Sequence, residues 1–152
     1  MSTFVKYLCV IGLSMLPVIE LRGAVPIGVG PLDLPLVPVL ITSIISNMLP
    51  VPFIIVFIRK IFDWMKNKSE RLGRIASKME ERAHKKGKML VKYQTLGLYI
   101  LVAIPLPGTG AWTGALVAAV FNLRLKNSVP AIFLGVITAG IIMAVFSDVF
   151  LR

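Results

Sequence analysis

Negative charge is scarce in this chain: seven Asp and Glu stand against 17 Lys and Arg in 152 residues, a formal net charge of +10. There is one cysteine and one histidine. Cys9 has no partner within the chain, so an intramolecular disulfide is excluded, and nothing around it marks a reactive thiol. His84 has no second histidine or cysteine beside it and reads as a surface residue, so no metal is expected.

Enzyme signatures are missing as well. The Gly-rich stretch "PGTGAWTG" is not a Walker loop, because no Lys-Ser or Lys-Thr follows it, and it lacks the strand that a dinucleotide fingerprint requires. There is no nucleophile elbow and no HExxH. Neither catalysis nor a cofactor is expected.

Charge itself is absent from long stretches, which sets the class of protein. Hydrophobic residues make up 57% of the chain, mean hydropathy is +0.85 and only 16% is charged. A soluble domain of this size needs more polar surface. Residues 36–58 are uncharged and reach about 34 Å at ~1.5 Å per helical residue, enough to cross a hydrocarbon core of ~30 Å. Residues 129–147 form a second such run. The composition is that of an integral membrane protein.

The positive charge is concentrated. Twelve of the 17 Lys and Arg fall between Arg59 and Lys92, and Arg124 and Lys126 add two more. This placement speaks against nucleic acid as a partner. By the positive-inside rule it puts 59–92 and the 124–126 turn in the cytoplasm of a multi-pass protein of the cell (inner or plasma) membrane. The short apolar run after Lys6 has no convincing small-x-small cleavage site and is expected to be retained.

The uncharged stretch 93–123 is too long for one straight span and too short for two. At its centre, "IPLPGTGAWTG" (104–114) carries two prolines and three glycines, which break a continuous helix. A helical hairpin that enters part-way and returns, with its tip near Gly108, fits both features. Residues 7–35 repeat the pattern around Leu21, between Glu20 and Arg22. Each hairpin precedes one span, and a slide of 88 residues sets Pro17 on Pro105.

The expected architecture is therefore all-α: two inverted repeats, each a re-entrant hairpin plus one transmembrane helix. The first repeat is 1–58, the second 93–152, and a basic amphipathic cytoplasmic helix over 59–92 joins them in a single membrane domain. Inverted repeats of this kind are common in secondary transporters. A rival layout makes 4–19 a complete span. In the basic segment, Met65, Leu72, Ile75, Met79 and Ala83 recur at helical spacing. That face either lies on anionic lipid headgroups or belongs to a solvated linker that pairs with a second copy. Hairpin backbone must be shielded from lipid, so a homo-oligomer is expected.

Glu20 and Arg22 are the leading functional candidates, since charges at bilayer depth mark pathways or pairs. Positions i and i+2 of a regular helix point apart. Either the backbone is broken there, as Gly23 and Pro26 suggest, or each charge has its own partner. They read as an ion-pair clamp between hairpins, or as a substrate or proton site with Glu20 accepting a proton and Arg22 holding an anionic group. In the second tip, Pro105, Pro107, Gly108, Thr109 and Gly110 join this substrate- or proton-binding set through exposed amides and the Thr109 hydroxyl. Gly110 and Gly114 also have GxxxG spacing, which suits close helix packing. Asn47, Trp112 and Thr113 are candidates for lining a pathway, against plainer roles as packing or interface residues.

"ELRGAVPIG", "PLPGTGAWTG" and the basic segment between them resemble the small multidrug export proteins of bacteria and archaea, over most of the chain. The two-hairpin pattern is similar, more distantly, to the DedA/VTT superfamily, whose members are implicated in moving lipid carriers or scrambling lipids. That resemblance implies roles for Glu20, Arg22, Pro26 and the 105–110 tip, although no arginine stands in the second tip here. The expected function is transport of a small or amphiphilic solute with proton coupling through Glu20. Lipid or lipid-carrier flipping is the alternative, and a non-transporting structural or assembly role is the reading from another class.

Overall fold

The structure, a computed structural model, describes residues 2–78, 81, 93–106 and 108–151. Met79, Ala83, His84 and Pro107 lie outside the described residues. The elements are α1 (Thr3–Met15), α2 (Glu20–Val29), α3 (Leu36–Met48), α4 (Pro50–Lys68), α5 (Gln94–Ala103), α6 (Ala111–Val120) and α7 (Leu125–Leu151). Residues 70–78 are also helical, beyond an extended residue at Ser69, and no strand occurs among the described residues.

Proline sets where the hairpins break. A residue before proline is pushed out of the α region by the ring. Leu16, ahead of Pro17, is extended at φ −75°, ψ 136°, and α1 ends there. Ile104, ahead of Pro105, is extended at φ −78°, ψ 118°, and α5 ends there. The first turn thus occupies Leu16–Ile19, slightly earlier than the midpoint at Leu21 that hydropathy suggests.

The two halves then pack alike. A side chain on Gly28 of α2 would stand 2.7 Å from Val39 of α3 and 3.2 Å from Val10 of α1. One on Gly114 of α6 would stand 2.7 Å from Val102 of α5 and 3.3 Å from Ile132 of α7. In each half, the first helix and the following long helix press on a glycine of the returning helix. Tyr93 and Gln94, at the start of α5, border the same cavity as Phe121 and Leu123 after α6, so that pair folds back on itself too. Each returning helix is followed by a left-handed non-glycine residue, Asp33 at φ 50° and Asn122 at φ 51°. After α6 the amide of Leu123 bonds the carbonyl of Ala118 at 2.9 Å and that of Asn122 bonds Ala119 at 3.1 Å. This is a Schellman ending with asparagine where glycine is usual.

Helix α7 is the hub, packing on α2, α3, α5 and α6, while α4 leaves α3 to lie along α6. Leu21, Ile55, Ile132, Val102 and Val136 are fully buried between them. The outside is apolar as well, with Phe53 74% and Val149 68% exposed, the surface expected of a chain whose solvent is lipid. Leu49 keeps helical dihedrals, so α3 and α4 make a near-continuous apolar run, Leu36–Lys68, and Leu125–Phe150 is the second stretch long enough to cross a membrane. The first run continues past Ile58, where the uncharged stretch stops, because nothing breaks a helix before Ser69. By contrast α1, with 13 residues, reaches only about 20 Å, short of a ~30 Å hydrocarbon core. Within the basic segment Ile75 is exposed and Ala76 is buried.

Candidate functional site

The two breaks meet, and the meeting is built from Glu20 and Arg22. A broken helix leaves carbonyls unpaired at one new end and amides at the other. Those of the second hairpin are met by side chains from the first. Arg22 Nη2 donates to the carbonyls of Val102 at 3.2 Å and Ile104 at 3.1 Å, the orphaned end of α5. Its Nη1 reaches the carbonyls of Leu106 at 2.5 Å and Thr109 at 2.9 Å, and the Thr109 hydroxyl at 2.8 Å. Positive charge thus sits where the dipole of α5 is negative.

Glu20 serves the other end. Its Oε1 accepts the Trp112 amide at 3.0 Å, in the first turn of α6, where the dipole favours an anion. Glu20 is 4% exposed. The carboxylate fits because Gly110 has no side chain: a Cβ there would fall on it, and Gly110 also needs the left-handed φ of 131°. Glu20 itself takes φ 50°, a left-handed conformation uncommon for a residue with a side chain. The two charges, two residues apart, lie within each other's field, yet the hydrogen bonds of each go to its own partners across the break.

The first break is served in return. The indole Nε1 of Trp112 donates to the carbonyl of Met15, the end of α1, at 3.1 Å. Thr113 Oγ1 donates to the carbonyl of Gly108 at 2.9 Å, and the Thr109 hydroxyl lies 2.8 Å from the carbonyl of Ile104. Beside this junction is a cleft of about 730 Å³, bordered by Pro17, Glu20, Arg22, Pro105, Thr109 and Met143 among others.

Residues 20–142 match the family described as "Putative small multi-drug export protein". The chain belongs to this family. Neither a curated protein nor a solved structure matches it. The family's stretch opens on Glu20 itself, just past the first turn, and takes in the second hairpin, the basic segment and most of α7. Membership makes the chain a membrane protein of an export family, in keeping with its two membrane-length helices.

Within this family member, the other predicted residues separate. Pro26 lies inside α2, where its missing amide leaves the carbonyl of Arg22 without its helical donor. Gly108 borders the cleft at φ 80°. Asn47, 1% exposed, is in the core of α3, and its Oδ1 has no hydrogen-bond partner. Trp112 works as a cap and lines an apolar channel on α4 instead of the cleft. Gly110 and Gly114 both face neighbours within the chain, so their spacing presents no free face to a second copy. The carbonyls of Met15, Val102 and Ile104 could not be read as participants, since backbone acceptors carry no sequence signal. Arg59 was also hidden: it donates through Nη2 to the Leu123 carbonyl, behind α6.

Proposed function

We propose that the chain is a transporter of a small or amphiphilic solute, built as two inverted repeats whose re-entrant tips meet near the bilayer midplane. The observation that carries this reading is the crossed capping of two broken helices beside a cleft of about 730 Å³. Discontinuous helices meeting at a cleft are how secondary transporters expose polar backbone at depth. Support for the repeat comes from the helix limits: Met15 and Ala103 are 88 positions apart, Val29 and Val120 are 91, and Leu36 and Leu125 are 89. In this reading Glu20 is the proton acceptor. A proton on its carboxylate weakens the cap on α6, which frees the second tip to move against the first. Arg22, with its Nη donors engaged by backbone, is the hinge clamp that exchanges carbonyls for an anionic group of the solute. Pro105, Gly108 and Thr109 shape the cleft; the basic segment is cytoplasmic and lies on anionic headgroups, and the working unit is a homo-oligomer of the inner or plasma membrane.

Purified protein in liposomes with an imposed pH gradient tests this reading. Dye flux that follows the gradient and disappears in Glu20→Gln is the expected result; flux indifferent to both overturns proton coupling. The apolar walls of the cleft, Pro17, Val18 and Met143, favour lipid movement as the second reading, and a lipid-scrambling assay in the same liposomes separates the two. Saturation of the Arg22 Nη donors by backbone suits a purely structural role, which predicts neither activity.

A further inference from the structure

We infer that the channel between α4 and α6 is a binding site for an anionic phospholipid, with acyl chain against Phe53, Phe57 and Leu116 and headgroup at Lys60, Arg59 and Arg124. The channel encloses about 830 Å³, within the ~300–1,000 Å³ typical of small-molecule sites, and its walls are almost wholly apolar. It runs from Trp112, beside the hairpin junction, to Lys60, whose ammonium is its one charged wall. On α4, Phe53, Phe57, Lys60, Trp64 and Lys68 follow at helical spacing along one face, so aromatic surface gives way to cations in a single direction.

The basic end coincides with headgroup depth. Trp64 is 55% exposed one turn past Lys60, and Lys68 Nζ lies 4.6 Å from its ring centre, the pairing of tryptophan and lysine found at membrane interfaces. More cations gather there. Arg59 reaches across to the Leu123 carbonyl, the exposed Arg124 is the next residue in the chain, and Arg59 Nε is buried with no partner. The exposed cations Lys60 and Arg124 are complementary to a phosphate diester. A second copy of the chain fits less well. A twofold axis along the membrane normal would set Lys60 against its own counterpart, like charge on like charge.

The chain has two tryptophans, so Trp64→Phe leaves Trp112, in the channel wall, as the only indole. The full-length Trp64→Phe protein is placed in bilayers containing phosphatidylglycerol or phosphatidylcholine with brominated chains, which quench indole on contact. Phosphatidylglycerol is expected to quench Trp112 at roughly fivefold lower mole fraction, the preference that about one basic residue at an anionic surface confers. Lys60→Gln with Arg124→Gln should abolish that preference while leaving quenching by phosphatidylcholine intact. Equal quenching by both lipids means ordinary boundary lipid and overturns the proposal. Absence of quenching by either overturns it too; a disulfide then formed between copies by Phe57→Cys, in a Cys9→Ser background, would assign the channel to a second chain. The headgroup comparison in the unsubstituted channel decides the matter even if the double variant fails to fold.

Discussion

Arg22 and Trp112, ninety positions apart, do the same work for opposite hairpins: each donates from a side chain to the carbonyls left bare where the other hairpin's first helix stops. The exchange ties the halves of the chain together at the points where each is least able to satisfy itself. At the proposed depth in the bilayer an unpaired backbone group costs several kcal/mol, which would make the ties stronger than their chemistry in water suggests.

Arg22→Lys is expected to destabilise the protein by about 2–4 kcal/mol, because an ammonium on a single atom cannot span acceptors from Val102 to Thr109. Trp112→Phe removes one neutral bond, to Met15, and is expected to cost about 1 kcal/mol. Thermal unfolding in a mild detergent ranks the two. A smaller loss for Arg22→Lys than for Trp112→Phe would mean that the carbonyl cage is not what holds the second tip.

The double variant Glu20→Gln with Arg22→Gln separates two pictures of the charges. Partners in an ion pair would rescue one another, since neither charge would be left alone. With separate partners, Trp112 for Glu20 and the 102–109 carbonyls for Arg22, most of each loss should persist in the double variant, the coupling in a double-mutant cycle being only the attraction of the two charges through space. Recovery of stability in the double variant contradicts the geometry.

The two left-handed glycines of the second tip should respond differently to alanine. At Gly108 nothing lies within 4 Å of a new Cβ, so only the backbone penalty of about 1–2 kcal/mol applies. At Gly110 the same penalty is joined by collision with the buried Glu20 carboxylate. Gly110→Ala should therefore cost at least about 3 kcal/mol and release the cap on α6. Amide exchange at Trp112 reads that release directly, and equal protection in both variants would refute it.

A cysteine at Ser69, where the helix that starts at Pro50 gives way to an extended residue, reports which side of the membrane the basic segment occupies. The background is Cys9→Ser, because Cys9 is itself exposed. An impermeant maleimide added to intact cells should leave it unmodified. Modification from outside would reverse the orientation drawn from the lysine and arginine distribution.

The outline of this fold is legible in the sequence because its determinants are local. Pro17 and Pro105 end helices through the residue before them, and charge-free length marks the two long runs. The spacing of Glu20 and Arg22 likewise signals either a broken backbone or separate partners. What cannot be read is where each one reaches, because their acceptors are backbone atoms of a distant segment, identical for every residue type. The packing of α4 along α6 is similarly hidden, since an apolar face shows that a helix has a neighbour without showing which. Gly110 illustrates the boundary between the two: its identity is visible, but its need to be glycine appears only when the Glu20 carboxylate is in place.

The carbonyls that receive Arg22 lie 80 to 87 residues downstream of it. At ~5–20 residues per second, the ribosome takes several seconds to produce them after Arg22 itself has emerged. In the proposed re-entrant arrangement the first hairpin would during that interval hold an unattended carboxylate and guanidinium, with nothing to keep it at depth. Membrane insertion of the amino-terminal half would then be a provisional event, completed only when the second hairpin arrives. Ribosomes that stall within the basic segment would leave a fragment whose exposed charges distinguish it from the finished protein, a ready signal for membrane proteolysis.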